Sequence, residues 1–259
     1  MIKFGIMQGR LSTPSSGKIQ EFPEKWEKEF PLMEKIGVDY IDWIITRDTG
    51  KYNPILNLPF LHKIGSVCMD NVVDENFFTS DLFRKDLLKI CKDLYSIGYR
   101  SITIPLLEES SIFKSDKKYK IAHDFLIGLS ACAPEMLVHI EMEQIDENSI
   151  SLLDISDNFY FVYDTGNLTS FYTKDEQLDI LEMNLKRIRI IHLKDKLNGI
   201  TVRPGEGDVP FVDIFSILKK TVEKINLTIQ TSRGKDGEEE LTINKDLQFF
   251  KQKIYEQNF

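Results

Sequence analysis

The chain has 259 residues, of which 42% are hydrophobic and 29% charged, and its formal net charge at pH 7 is −8. This length suits one α/β barrel or two small domains and allows a large core. An acidic balance argues against general nucleic-acid binding, which needs a basic surface. No apolar run approaches the roughly 20 residues that span a bilayer. The composition therefore predicts neither a nucleic-acid partner nor a membrane partner.

The cysteines and the first residues indicate the compartment. Cys68, Cys91 and Cys132 are far apart and form no CxxC pair, which is typical of reduced, mostly buried cysteines in a cytosolic protein. The opening run, MIKFGIMQGR, is strand-like with Lys3 inside it and has no small-residue cleavage site. It does not resemble a signal peptide. We expect a cytoplasmic protein.

Short β-rich runs alternate eight times with helical patterns along the chain. The predicted strands are Ile2–Met7, Tyr40–Ile45, Gly65–Met69, Ser101–Pro105, Leu137–Glu141, Tyr160–Asp164, Ile188–His192 and Leu227–Gln230. The predicted helices are Trp26–Ile36, Ile55–His62, Ser80–Ile97, Lys117–Ala131, Ile145–Leu153, Lys174–Arg187, Phe211–Lys224 and Asn244–Glu256. Strand–helix alternation favours a parallel sheet, and eight such units in about 250 residues match a (β/α)₈ TIM barrel.

A doubly wound open sheet is the alternative α/β architecture. It normally carries a glycine-rich phosphate loop after its first strand. The first loop here, MQGRLSTPSSGK, contains neither GxGxxG nor GxxxxGK[ST]. No linker, low-complexity tract or internal repeat divides the sequence. We therefore predict a single TIM-barrel domain over residues 1–259.

Four polar side chains end the last four predicted strands. They are Glu141, Asp164, His192 and Gln230, each after an apolar run and before loop residues. In a parallel barrel these strand ends converge on the face that carries the chemistry. Two carboxylates, an imidazole and an amide at one mouth can hold a divalent ion, and the imidazole suits Mn²⁺, Zn²⁺, Co²⁺ or Fe²⁺. The sequence therefore predicts one metal site formed by these four residues.

Each of these residues also has a purely structural interpretation. Asp164 before Thr-Gly can shape an Asx turn, a single histidine at a strand end is more often structural, and Gln230 can form hydrogen bonds within the barrel mouth. Because side chains alternate along a strand, Glu143 shares the side of Glu141. Glu143 can replace Glu141, act as a base, or remain a solvated loop carboxylate. Glu141 lies deepest at the strand end, so we expect it to be the ligand.

The substrate site is expected around the same mouth. Loops after the last two barrel strands commonly bind phosphate, and RPGEGDVPF adds backbone N–H donors from Gly205 and Gly207. Arg203 is the favoured anion-binding residue because its guanidinium fork fits phosphate or carboxylate, whereas Lys196 can equally be surface charge. The predicted substrate-binding residues are Gln8, Arg10, Asn167, Lys194, Arg203 and Arg233.

These residues and their neighbours resemble the xylose isomerase-like TIM-barrel superfamily of sugar and sugar-phosphate isomerases and epimerases. The matching segments, in chain order, are GIMQGRLS, EF followed by GVDYIDWI, IEME, YDTGN, IHLKDK, RPGEGDVPF and IQTSRG. They run from the first predicted strand to the last, and their order and spacing carry the resemblance.

The resemblance implies a carbohydrate substrate, a homodimer or homotetramer, and one divalent ion among Mn, Zn, Co, Fe and Mg. Its implied ligands are Glu141, Asp164, His192 and Gln230. In the superfamily two glutamates move a proton on opposite faces of the substrate, through an enediolate that the metal stabilises. Their positions here are Glu141 and Gln230. Because Gln230 replaces a glutamate, one base, Glu141, remains.

Three functions stay open at this point. The leading one is a metal-dependent sugar or sugar-phosphate isomerase or epimerase. The others are a metal-dependent dehydratase of a ketosugar or inosose, and a non-catalytic sugar-binding barrel in which Gln230 marks lost chemistry. A single base permits one-face isomerisation, whereas epimerisation needs a second group such as Glu143 or Asp195. Asp42, where similar sequences usually carry glutamate, is a second departure and would reshape the sugar pocket.

Overall fold

A computed structural model describes residues 2–13, 20–58, 62–221 and 224–257. Eight strands form a closed barrel, and two further strands form a separate two-stranded sheet. The strands are β1 Lys3–Met7, β2 Tyr40–Ile44, β3 Ile64–Cys68, β4 Ser101–Leu106, β5 Leu137–Met142, β6 Phe159–Asp164, β7 Ile188–Leu193, β8 Asp195–Leu197, β9 Ile200–Val202 and β10 Asn226–Ile229. Around the barrel the order is β1, β10, β7, β6, β5, β4, β3, β2.

The barrel strands pair in parallel, as in β4 with β5 and β10 with β7. Parallel strands are buried on both faces, so they are near-continuous apolar runs, as in β4 and β5. The prediction of a (β/α)₈ TIM barrel is confirmed, and each predicted barrel strand lies within one residue of its observed bounds.

The helices lie between the barrel strands and, in the case of the last one, after β10. They are α1 Glu29–Ile36, α2 Asn76–Thr79, α3 Asp81–Ser96, α4 Asp116–Cys132, α5 Glu147–Ser151, α6 Thr165–Thr169, α7 Lys174–Asn184, α8 Phe211–Lys219 and α9 Glu239–Glu256. Side-chain caps set several of their starts. The Ser80 hydroxyl accepts the N–H of Phe83 at the start of α3, and Thr173 forms a capping box with Glu176 at the start of α7.

The helix predicted at Ile55–His62 is wrong for the residues that the structure describes there. A short 3₁₀ helix, Pro54–Asn57, takes its place, and residues 59–61 lie outside the described part of the chain. Leu58 is extended, with a ψ angle of 143°, because a residue that precedes proline avoids the helical region. The helix predicted at Phe211–Lys224 ends earlier in the structure, at Lys219, and residues 222–223 lie outside the described part of the chain.

The helix predicted at Ile145–Leu153 is shorter than expected. Asp146 caps α5 by accepting the N–H of Ser149 at 2.8 Å, so the helix begins at Glu147. The chain then tightens into the 3₁₀ helix Leu152–Ile155.

The chain groups into two compact units, one comprising Met1–Asp42 with Tyr163–Phe259 and the other comprising Trp43–Val162. Both boundaries fall inside a strand, β2 in one case and β6 in the other. A single domain over residues 1–259 therefore stays a prediction.

In the first unit, buried polar side chains bond to one another between strands. The Tyr40 hydroxyl lies 2.9 Å from Thr228 Oγ1, which donates to Asp42 at 2.5 Å. Burial, followed by the charge of Asp42, raises the pKa of Tyr40 well above its ordinary value. A Cβ atom at Gly5 would lie 1.9 Å from the Tyr40 ring, so only glycine leaves room for this ring at that position in β1.

The second unit has its own buried polar pairs. Ser66 and Thr103 join β3 to β4 at 3.0 Å between hydroxyl oxygens, and His139 Nε2 lies 3.1 Å from Ser101 Oγ. The His139 ring stacks on Tyr160, with centroids 5.7 Å apart. Both units therefore contain satisfied polar groups on the barrel strands.

A β-hairpin that the sequence analysis missed follows β7. Its strands, β8 and β9, are antiparallel, and they turn at Asn198 and Gly199, which have φ angles of 51° and 78°. An Asn-Gly pair favours positive φ at both turn positions and is a strong signal for such a hairpin.

Among the described residues no helix is both long and apolar enough to cross a membrane. The three cysteines are free thiols, with Cys68 and Cys91 buried and Cys132 half-buried. Burial raises the pKa of the Cys91 thiol above its ordinary range.

Candidate metal centre

Three of the four predicted metal ligands lie together in the structure. Glu141 near the end of β5, Asp164 at the end of β6 and His192 in β7 each offer one ligand atom, and these atoms all lie within 4.8 Å of one another. Their exposed fractions are 2%, 0% and 0%. Two buried carboxylates this close repel unless positive charge is nearby. Carboxylate oxygens with an imidazole nitrogen are a donor set that divalent ions use, so these residues fit a divalent ion.

Asp164 uses its two carboxylate oxygens differently. Oδ1 accepts the N–H of Asn167 at 2.7 Å, which caps the short helix α6. Oδ2 lies 2.8 Å from Lys194 Nζ and 3.8 Å from His192 Nδ1. The turn interpretation of Asp164 is therefore confirmed for Oδ1, whereas Oδ2 faces the other candidate ligands and its role as a metal ligand stays a prediction.

The end of β7 is fixed by the residue that follows Asp164. The Thr165 hydroxyl donates to the Lys194 carbonyl at 2.6 Å and accepts the Lys194 N–H at 3.1 Å. Thr165 is completely buried. These bonds hold the backbone just after His192 against the start of α6.

Gln230 immediately follows β10 and is 8% exposed. Its backbone N–H donates to the Leu193 carbonyl at 2.9 Å. Its side-chain Oε1 accepts a hydrogen bond from Lys194 Nζ at 3.2 Å. The partner of the Gln230 amide in this structure is therefore Lys194, and a role as the fourth ligand stays a prediction.

Two of the predicted substrate-binding residues lie next to this cluster. Asn167 is buried in α6, and its Oδ1 accepts from Lys196 Nζ at 3.2 Å. Lys194 contacts Asp164 directly. Their contact with a substrate stays a prediction.

The other four bind the chain itself. Gln8 donates its backbone N–H to the Asp42 carbonyl and is buried, and Arg10, 2% exposed, donates from Nε to the Thr231 carbonyl at 2.8 Å. Arg203 pairs with Asp246 at 2.9 Å, and Arg233 donates to the Gly9 carbonyl at 2.5 Å.

These contacts assign a structural role to residues expected to bind an anion. Burial lowers the pKa of Arg233, partly offset by nearby glutamates. A substrate that recruits Arg203 would compete with Asp246, whose own pKa is raised by burial despite the arginine. Contact of these arginines with substrate stays a prediction.

The RPGEGDVPF loop folds onto Asp195 and not onto an external anion. Asp195 Oδ2 accepts the N–H groups of Gly205 at 2.8 Å and Gly207 at 2.9 Å, and Oδ1 accepts that of Val209 at 3.2 Å. The two glycine donors expected to bind an anion therefore bind a carboxylate of the chain. Asp195, suggested as a second acid, has both oxygens occupied by backbone donors.

Like Asp195, the carboxylate of Glu29 at the start of α1 binds backbone N–H groups of a loop, and the sequence analysis did not predict this role. Its carboxylate accepts the N–H groups of Gly9 at 3.0 Å and Leu11 at 3.1 Å, and it is buried. Burial raises the pKa of Glu29. Because Glu29 and Leu11 are 18 residues apart in sequence, no local sequence pattern predicts their contact.

The family model of xylose isomerase-like TIM barrels matches residues 133–253 of the chain. The match includes the three clustered ligands and Gln230. This part of the chain is therefore similar to xylose isomerase-like TIM barrels, and the closed barrel agrees with that resemblance.

The chain is also similar in sequence to individual proteins. An inosose dehydratase from Clostridium tetani is 28% identical over 164 residues, which are 52% of this chain and 53% of the dehydratase. The alignment thus spans about half the length of this curated relative.

Solved structures agree over the whole barrel. A 3-keto-D-glucoside 4-epimerase from E. coli superposes with a TM-score of 0.67 at 16% identity, covering 97% of this chain and 100% of the epimerase. The IolI protein, solved with a zinc atom, gives 0.62 at 18% identity, covering 98% and 97%. At these identities the likeness shows the shared fold.

Proposed function

We propose that this chain is a divalent-metal-dependent enzyme that moves a proton beside the carbonyl group of a carbohydrate, as an isomerase or epimerase. The buried cluster of Glu141, Asp164 and His192 at neighbouring strand ends carries the proposal. The family model and the epimerase and dehydratase relatives support it. A homodimer or homotetramer and a cytoplasmic location stay predictions.

In the proposed reaction the metal ion and Glu141 have different roles. When bound, a divalent ion supplies Lewis-acid polarisation of substrate oxygens. Glu141 accepts the proton from the carbon next to the carbonyl, and the C–H electron pair shifts toward the carbonyl oxygen. Glu141 then returns the proton to the former carbonyl carbon, and the proton of the adjacent hydroxyl passes to the former carbonyl oxygen, which completes a 1,2-isomerisation. The carbon proton leaves and returns on one face, so a single carboxylate base is sufficient for it.

Epimerisation requires a second proton donor on the opposite face. The sequence suggested Glu143 or Asp195, but backbone donors occupy both oxygens of Asp195. Glu143 Oε1 accepts the N–H of Glu108 at 3.0 Å. One-face isomerisation is therefore the form of the proposal that needs fewest additional groups.

Dehydration is the second candidate because the curated relatives include inosose dehydratases. In that reaction Glu141 again accepts the proton next to the carbonyl. The electron pair forms a C=C bond, and hydroxide leaves from the next carbon and takes up a proton to become water. One strong base is sufficient for the first step, which is compatible with glutamine at position 230.

The test is a screen of ketoses, ketose phosphates and inososes with Mn²⁺ in D₂O. Deuterium incorporation observed by NMR, without loss of water, supports isomerisation, whereas ultraviolet absorption of an enone product supports dehydration. We expect Glu141→Gln to lower turnover at least about 1000-fold, since general-base catalysis contributes roughly 10²–10⁴ in rate.

Glu143→Gln is the matched control, because it neutralises a carboxylate two positions along the same segment. It should retain activity within about tenfold if one-face isomerisation operates. Equal losses in the two variants would contradict Glu141 as the single base. Absence of exchange and of dehydration with every substrate would favour a sugar-binding barrel without catalysis.

A further inference from the structure

A lysine lies among the predicted metal ligands. Lys194 follows β7, and its Nζ is 2.8 Å from Asp164 Oδ2 and 3.2 Å from Gln230 Oε1. Its side chain is 12% exposed. The ammonium therefore contacts two of the four groups assigned to the ion.

The surrounding chain is shaped to hold Lys194 in this position. Thr165 bonds both its backbone N–H and its carbonyl. A Cβ atom at Gly166 would lie 2.6 Å from Lys194 Cγ and 3.2 Å from Cε, so glycine leaves the space that the lysine stem fills. Neighbouring residues thus fix the lysine backbone and provide the path of its side chain.

An ammonium and a divalent ion cannot share this place. Asp164 Oδ1 is engaged by the Asn167 N–H, which leaves Oδ2 as the oxygen that faces the other ligands, and Lys194 is bound there. Two cations close to one oxygen in buried surroundings repel strongly, because the screening by water is weak. Binding of an ion through Asp164 therefore requires the ammonium to move.

We propose that Lys194 is an internal cation that competes with the divalent ion for Asp164 and Gln230. The inference rests on the proposed metal site and identifies a specific residue that lowers the affinity of this site for the ion. If most molecules hold the ammonium on these donors, the apparent affinity for the ion is reduced by the fraction that does not. A neutral amide at position 230 is consistent with this arrangement, since it accepts from the ammonium without adding charge.

The test measures Mn²⁺ affinity of the full chain by electron paramagnetic resonance of the free ion, at one pH and about 0.15 M salt to screen distant charges. We expect Lys194→Met to bind Mn²⁺ about 10- to 100-fold more tightly than the wild type. Lys196→Met is the matched control, because Lys196 contacts Asn167 and Ser170. It removes the same charge two residues away and should change affinity less than about threefold.

Thermal unfolding supplies a second readout that does not depend on activity. Mn²⁺ should raise the Tm of Lys194→Met more than that of the wild type at equal ion concentration, because a tighter ligand stabilises more. If Lys194→Met does not fold, Lys194→Gln serves instead. It keeps a donor for Asp164 and removes the charge, and the same direction is expected.

The outcomes separate this inference from the proposed function. Tighter binding by the Lys194 variant supports competition, even if the wild type binds no Mn²⁺ and its metal dependence fails. If the wild type binds Mn²⁺ and the Lys194 variant binds it no more tightly, competition is overturned and the proposed metal site is unaffected. No binding by either protein overturns both. An equal gain in Lys196→Met overturns competition in favour of general electrostatics.

Discussion

Asp164, the last residue of β6, and Asp195, the first residue of β8, are both completely buried, but the chain uses the two carboxylates in opposite ways. Asp195 accepts three backbone N–H groups through both oxygens. Asp164 accepts one backbone N–H through Oδ1 and turns Oδ2 toward Lys194 and His192.

The difference shows how a structural carboxylate can be told from a candidate ligand. Backbone donors around Asp195 satisfy its charge wholly within the fold and tie a loop to β8. At Asp164 the capping bond orients the group, and the second oxygen faces other side chains. A carboxylate with one oxygen directed at an imidazole and a second carboxylate is suited to bind a cation.

Asp164→Asn should give the largest effect on metal binding. The amide keeps an oxygen that can accept the Asn167 N–H, so the cap survives, but the charged donor is lost. We expect Mn²⁺ affinity to fall at least about 100-fold, because even residues that only orient ligands contribute about 10- to 100-fold. Calorimetric titration measures this, and an unchanged dissociation constant would remove Asp164 from the ligand set.

Asp195→Asn should instead lower stability. The amide offers one acceptor oxygen and sets an NH₂ group against backbone donors. Hydrogen bonds to charged groups contribute about 1.5–3 kcal/mol each, and we expect a loss of about 3 kcal/mol in the free energy of unfolding. Urea denaturation measures it. The variant should bind Mn²⁺ normally while folded, and a selective loss of metal without loss of stability would erase the contrast with Asp164.

Gly207→Ala tests the same loop more mildly. A Cβ atom there would lie 2.3 Å from Asp195 Oδ1 and 2.4 Å from the Lys196 carbonyl oxygen. Because backbone atoms yield little, we expect a loss of about 2 kcal/mol.

Gly128→Ala in α4 is the control for the glycine substitution itself. Its added Cβ would meet the tip of the Leu88 side chain at 3.3 Å. It should be neutral or stabilising by up to about 1 kcal/mol, because alanine favours helix. Equal losses in the two alanine variants would show that the Asp195 contacts do not limit position 207.

The barrel was predictable because its signals are local. Eight apolar runs separated by helical patterns define the strands, and the convergence of parallel strand ends brings Glu141, Asp164 and His192 together without further information. The hairpin at Asn198 and Gly199 was also predictable, because an Asn-Gly pair favours its turn.

The partners of the polar side chains were not predictable in the same way. Asp195 receives its donors from a loop 10 to 14 residues later, and Glu29 binds a loop 18 to 20 residues earlier. The position of Lys194 depends on Gly166 of the preceding strand–helix junction. Such contacts follow from packing between elements, which the hydrophobic pattern does not encode.

Crystals grown with Mn²⁺ and measured at wavelengths on both sides of its absorption edge would show whether Glu141, Asp164 and His192 hold one divalent ion. We expect one anomalous peak about 2.0–2.3 Å from a carboxylate oxygen of each acidic residue and from an imidazole nitrogen. Complete electron density for these side chains with no such peak, or with a peak only elsewhere, would contradict this metal site.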